Sequence, residues 1–453
     1  MSSAVLPQTE DAEPVAPQAR PRLSSVVSRL TAANLALVVV TIFTAPLQAR
    51  ALGPEGRGEL AAITVPLALA PGVLTLGLSL YTHRAAAIGK RSGTLLGTLG
   101  VLFLALGLAG AALGPVVGVL VGSSHRVVRT WVIIGFALLP IGFVNLVITD
   151  IAAGQNRWRP VLFYRLTPPA VLLLGIPSFY LTGHLTVASA AFLSIAGGTL
   201  PVIFLVPGAR KQLPLRFDRR IVREAVPFGL KAWAAGLGQL VNVRADQLLM
   251  TRLVNPSQLG LYAIAVTASG VLVNPFASAL AAGTMPRFAT GDTDLIERTL
   301  RTTLLGVLVT SAGVALVSPV LVPLFFGSAF RGAVPMIWIL LGAGVPLTGG
   351  ALLSSALTIS GRPSYAALAE LVALGVTLPG LILLLPTMGG VGAALVSLIA
   401  YSASFSMLVL VVRRQLGARL TGLLIVRPAD AITLAAVIRP QILNQLRKFR
   451  PSS

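Results

Sequence analysis

Lys231, Arg244, Asp246 and Glu370 are ionisable side chains of this 453-residue chain that stand inside otherwise apolar stretches. In hydrocarbon such a group costs at least ~2.5–3.5 kcal/mol on insertion scales, so each calls for a partner or a ligand. Lys231, Gln239, Asn242 and Asp246 recur at helical spacing and share one face, whereas Arg244 projects roughly 200° away from Asp246. Asn34, Thr41, Thr44 and Gln48 form a second polar stripe. Two facing stripes would line a hydrophilic cavity. Equally, the neutral members could be interhelical hydrogen-bond glue, with Lys231 snorkelling to an interface. Glu370 could carry a coupling ion, a proton or sodium, or could be the structural partner of an arginine. Catalytic chemistry is not visible. The chain has no cysteine, and His83, His125 and His184 fall in loops, which leaves no metal-ligand cluster. Nucleophile elbows, phosphate-binding glycine loops and paired catalytic carboxylates are absent, so the expectation is a non-enzyme without cofactor, catalytic residue or metal.

The elements that position these groups follow from composition. Hydrophobic residues make up 55% of the chain and charged residues 11%, with a mean hydropathy of +0.86. A soluble domain carries roughly 25% charged residues. A soluble enzyme, a disordered chain and a nucleic-acid-binding domain are thereby excluded, and an all-α polytopic membrane protein remains. Twelve stretches are long enough for a bilayer of ~30 Å: 31–49, 60–82, 94–120, 131–151, 160–182, 185–207, 226–250, 259–283, 302–326, 334–358, 364–385 and 389–412. Alternate connections hold 27 of the 35 basic residues, the opposite ones hold 6, and Lys231 and Arg244 remain inside a span. The positive-inside rule then places both termini in the cytoplasm.

The chain also repeats. At an offset of 202, Arg50, Pro54, Gly58 and Ala61 fall on Arg252, Pro256, Gly260 and Ala263. Arg84 falls on Arg287 at 203. At 205, Asn156-Arg157 falls on Gly361-Arg362, and Arg165 on Glu370. Six helices per repeat give both halves the same orientation, a recurrent transporter design. The expected organisation is a disordered tail (1–25), a six-helix lobe (26–208), a basic cytoplasmic linker (209–224), a second six-helix lobe (225–412) and a basic tail (413–453). Segments Leu420–Val426 and Ala431–Ile438 of that tail read as short interfacial helices, or as part of a disordered basic tail.

Leu52-Gly-Pro-Glu-Gly-Arg-Gly-Glu-Leu60, Arg244-Ala-Asp-Gln-Leu-Leu249 and Gly260-Leu-Tyr-Ala263 resemble segments of the bacterial polysaccharide and O-antigen flippases. Gly154-Gln-Asn-Arg-Trp-Arg159 with Arg165, and Ser360-Gly-Arg-Pro363, are similar to that family's inner loops. The resemblance runs over most of residues 25–412. It implies the multidrug/oligosaccharidyl-lipid/polysaccharide exporter superfamily: two six-helix bundles around a central cavity, working by alternating access in the bacterial plasma membrane. It also implies a lipid-linked oligosaccharide as substrate, with membrane lipids and polysaccharide polymerase and glycosyltransferase machinery as partners, and no nucleic acid. A guanidinium fork meets a diphosphate bidentately. On that expectation Lys231, Arg244 and Arg29 bind substrate with Asp246, Asn242 and Gln239, while Arg57, Glu59, Arg165 and Glu370 gate or couple. For Arg57 and Glu59 a surface ion pair is an equal reading. Alternatives are a cation-coupled multidrug antiporter of the same fold, a peptidoglycan-precursor flippase, and a non-transport scaffold of a polysaccharide-assembly complex. The peptidoglycan relatives carry basic residues in the second span, which here reads Val65-Pro-Leu-Ala-Leu-Ala-Pro71.

Overall fold

A computed structural model describes residues 23–122, 125–284, 293–425, 427, 428 and 430. The side chains of 23–35, of 271–284 and of a few single positions lie outside that description, Arg29 and Gln239 among them. Among the described residues the secondary structure is helical throughout. The helices are α1 (Leu23–Leu74), α2 (Leu78–Ala87), α3 (Ser92–Val121), α4 (Arg126–Ala137), α5 (Leu139–Gly154), α6 (Trp158–Leu181) and α7 (Val187–Thr199). They continue with α8 (Val202–Ala209), α9 (Arg219–Leu253), α10 (Pro256–Thr284), α11 (Thr293–Phe326), α12 (Ala333–Ile359), α13 (Pro363–Leu416) and α14 (Leu420–Leu424).

Each of the twelve apolar stretches falls on helix, with breaks where the backbone requires them. The helix α1 holds the first stretch and most of the second, divided at Gly53, whose φ of 66° is open to glycine at little cost. Gly389, at φ 56°, divides α13 in the same way between the last two stretches. The fourth stretch is the pair α4 and α5, bent by 44°. The chain is thus a multi-pass membrane protein. Leu174, Leu181, Leu316 and Leu383 are among many large apolar side chains left exposed, as lipid-facing positions are.

Two compact units result. One comprises residues 1–52 and 59–240; the other comprises Gly53–Gly58 and 241–453. The division therefore falls within α9 and not in the 209–224 segment. That segment is itself partly helical, because Asp218 starts α9 by accepting a 2.8 Å hydrogen bond from the Arg220 amide. In the first unit, α3 packs on α4 and α5 around Leu95, Leu99, Phe103, Val132, Phe143 and Ile151, with the Phe103 and Phe143 rings edge to face at 6.4 Å. In the second unit, Ile296, Leu300, Leu353, Leu357 and Val412 form a buried core that also takes in Leu423 of α14. Leu420–Leu424 therefore packs against the second unit through Leu423, with Leu420 partly buried beside it. Arg301 fixes it there, pairing with buried Asp430 at 2.8 Å and donating to the Gly422 carbonyl. Residues 1–22 and Ala431–Ile438 lie outside the described residues.

The repeat has a structural signature inside each unit. After α5, Asn156 adopts φ 59°, its amide donates to the Ala153 carbonyl, and the Arg157 amide donates to Ala152 at 2.8 Å. After α12, Gly361 adopts φ 77°, its amide donates to Thr358, and the Arg362 amide donates to Leu357 at 2.8 Å. These are the same helix-ending motif at the same offset, with asparagine tolerating the left-handed position that glycine takes in the second copy.

Candidate functional site

Asn255 begins α10, accepting a 2.9 Å hydrogen bond from the Gln258 amide ahead of Pro256 at the first helical position. Gln258 in turn accepts from the Gly390 amide at 3.2 Å, so the break in α13 is fastened to the start of α10. Two helices are thereby set beside the end of α9, and the polar residues of all three meet inside the second unit.

Asp246 is buried, and its carboxylate accepts from the Tyr262 hydroxyl of α10 and, at 2.6 Å, from the Gln247 amide. Tyr262, with no exposed surface, also bonds Ser397 of α13. Asn242 is buried and accepts from Thr377 of α13 at 2.9 Å, while its side chain also bonds the Glu370 carboxylate. Tyr401 lies within electrostatic reach of Asp246, Glu370 and Arg244. Arg244 is half-buried and donates to the Gln247 side chain at 3.0 Å. Among the described residues Arg244 and Asp246 make no ion pair within 4.0 Å, as their angular separation on the helix requires.

Of the residues singled out in the sequence, Asn242, Asp246, Arg244 and Glu370 are thus brought together. Lys231 is exposed on the part of α9 that belongs to the first unit. The side chains of Arg29 and Gln239 are outside the described residues. Glu59 pairs with His125 at 2.8 Å, Arg57 is half-buried, and Arg165 is exposed on α6. Tyr262, Thr377, Ser397 and Tyr401 were not legible as site residues. Nothing marks a lone tyrosine or serine in an apolar run until its partner helix is known. Asp150 of α5 is a further omission: it hydrogen-bonds Ser79, and one of its carboxylate oxygens is buried with no partner. Its position one residue inside the fourth apolar stretch was the signal available.

At the water-facing end of the first unit, Glu224 takes a 2.5 Å ion pair from Lys90 and a 2.8 Å hydrogen bond from the Tyr81 hydroxyl. Those hydrogen bonds hold the Glu224 carboxyl below its ordinary range. For Lys90, burial opposes the charge, but the bonds to Glu224 and Tyr81 outweigh it and raise the ammonium's pKa.

Residues 47–335, well over half the chain, match the family model described as "Polysaccharide biosynthesis protein". The chain belongs to this family. Among solved structures, it is similar to a lipid II flippase, MurJ, in an inward closed conformation, with a TM-score of 0.70 and 12% identity over 94% of each chain. An inward-facing multidrug resistance MATE transporter of the MOP superfamily gives 0.67 and 15% identity, covering 86% of this chain and 98% of that one. A MOP superfamily transporter from Pyrococcus furiosus gives 0.58 and 14%, covering 88% and 97%. At such identities these likenesses establish the fold, and the fold is that of the MOP transporters. No curated protein matches.

Proposed function

We propose that this family member is a flippase that carries a polyprenyl-diphosphate-linked oligosaccharide across the bacterial plasma membrane by alternating access. A sugar diphosphate headgroup cannot cross hydrocarbon unaided, while its lipid tail can remain there. The protein must therefore supply cations inside the membrane. Arg244 carries the reading: a guanidinium on a 35-residue helix that, among the described residues, is held by one neutral hydrogen bond and makes no ion pair within 4.0 Å. Its remaining donors suit a phosphate, and Lys231, exposed on the same helix, would supply a second cation. Glu370 and Asp246 are the candidates for a proton or sodium coupling site. A drug-cation antiporter would need carboxylates open to its cargo, whereas Asp246 is buried with both oxygens engaged. The family description supports a role in polysaccharide assembly, with the assembly machinery as partner.

The test is the distribution of lipid-linked glycan between leaflets in cells carrying Arg244→Ala or Lys231→Ala, with insertion and folding verified. Accumulation in the inner leaflet is expected, and normal export in both variants would overturn the assignment. The absence of cysteine gives a clean background for single-cysteine labelling. Both termini should react only from the cytoplasmic side.

A further inference from the structure

The Gly154–Arg159 segment, which plays no part in the proposed transport site, borders a cavity of about 270 Å³ within the first unit. Its walls are the end of α5 (Ile148, Ala152), the start of α6 and the end of α8 with the short turn that follows. Three kinds of surface meet there. Arg157 and Arg159 stand at the N-terminal end of the 24-residue α6, where the helix dipole adds to their charge. Phe163 and Phe204 pack edge to face at 4.8 Å, yet remain 37% and 63% exposed, as side chains facing acyl chains would be. Gln212 also lines the cavity, and its side-chain carbonyl oxygen is buried without a hydrogen-bond partner. A buried acceptor left unpaired among the described residues calls for a donor.

We infer that this cavity binds one anionic glycerophospholipid of the basic-side leaflet through its headgroup. The phosphodiester lies against Arg157 and Arg159, a headgroup hydroxyl donates to Gln212, and an acyl chain runs over Phe163 and Phe204. Each requirement excludes a competitor. The arginines disfavour a neutral zwitterion, the exposed rings favour a lipid over free phosphate, and the Gln212 oxygen favours a hydroxylated headgroup over a bare phosphomonoester. Basic pockets between helices at a membrane's cytoplasmic face recognise lipid headgroups by this chemistry. The site is separate from Arg244 and Lys231 and does not depend on what the protein transports.

The experiment uses the full chain, purified and delipidated in detergent, with lipid retention read by native mass spectrometry and competition. Wild-type protein should retain one phosphatidylglycerol in preference to phosphatidylcholine. The combined Arg157→Gln and Arg159→Gln changes should weaken that binding by about 10- to 30-fold, because two cation contacts are lost, without moving the lipid-free melting temperature. Gln212→Leu should erase the preference for phosphatidylglycerol over phosphatidic acid. Equal retention of phosphatidylcholine, or unchanged binding in the double variant, would overturn the inference. So would soluble glycerol phosphate binding as tightly as the lipid, which would mark a free-phosphate site. Competitive displacement by a polyprenyl diphosphate would assign the cavity to the transport route instead. The wild-type competition needs no variant to fold, so the inference remains testable if the double variant does not.

Discussion

The reciprocal contact between the two repeated turns makes the sharpest prediction. An alanine Cβ at Gly260 would fall 1.8 Å from the carbonyl oxygen of Pro54, and one at Gly58 would fall 1.8 Å from the carbonyl oxygen of Pro256. Pro54 and Pro256, like Gly58 and Gly260, are 202 residues apart, so each glycine meets the repeat-mate of its own turn's proline. Gly53–Gly58 belongs with the second unit for this reason. Ordinary contact is 3.4–4 Å, so either alanine must drive the turns apart by roughly 1.5 Å. The obstructing atoms are backbone, and no rotamer change relieves them. The overpacking cost should therefore lie near ~3 kcal/mol, the top of the usual range. Helix propensity returns about 1 kcal/mol for a helical Gly→Ala change, leaving a net loss of about 2 kcal/mol. For a unit of this size that lowers the melting temperature by about 4–8 °C. Gly375 is the control: it is helical, has no atom within 4 Å of a built Cβ, and should gain slightly on the same substitution. The double variant Gly58→Ala with Gly260→Ala should cost less than the sum of the two single changes, since the first already separates the surfaces that the second would crowd. Thermal unfolding in nanodiscs reads all four. Wild-type melting of Gly260→Ala, or strict additivity of the pair, would refute the reciprocal packing.

Three further outcomes follow from the polar contacts. Tyr262→Phe removes a buried donor from the Asp246 carboxylate and should cost about 1–3 kcal/mol in thermal unfolding, whereas Tyr401→Phe should cost less. Because Glu224 titrates below its ordinary 4.5, its ion pair stabilises the fold above that pH and is lost as pH falls through the lowered value. Glu224→Gln should therefore melt below wild type at pH 7, by under about 1 kcal/mol for so exposed a pair, and the difference should shrink as pH falls below 4.5. Asp430→Ala leaves buried Arg301 with Glu297, 3.9 Å away, as its remaining ion partner and should cost about 1–3 kcal/mol, with limited proteolysis at Arg427 accelerating in parallel.

Most of the fold was legible because a bilayer imposes a one-dimensional rule: about 20 apolar residues make a helix. Single-residue motifs were legible for a related reason. Asn156 and Gly361 are types that tolerate positive φ, and an equal offset in two copies exposes the shared turn. The breaks at Gly53 and Gly389 could not be told from other glycines, since a glycine's sequence neighbours do not show whether its backbone will take positive φ, and at Gly389 a distant segment takes part. Gln258, which bonds the amide beyond Gly389, lies 131 residues away in sequence.

The candidate site shows the same divide at finer grain. Helical spacing put Asn242 and Asp246 on one face and Arg244 on another, and the structure keeps that separation: the first two engage Thr377 and Tyr262, while Arg244 bonds Gln247. Spacing says which residues point together but not what they meet. Polarity within an apolar run therefore cannot distinguish a group satisfied by its neighbours from one held ready for a ligand. The distinction lies in the partner count. Asp246 is saturated by protein and its removal should act first on stability, whereas Arg244, with guanidinium donors to spare, should act first on transport. If Arg244→Ala lowered the melting temperature as much as Tyr262→Phe while export continued, the arginine would be part of the packing, and the substrate cation would have to be sought elsewhere on α9, beginning with Lys231.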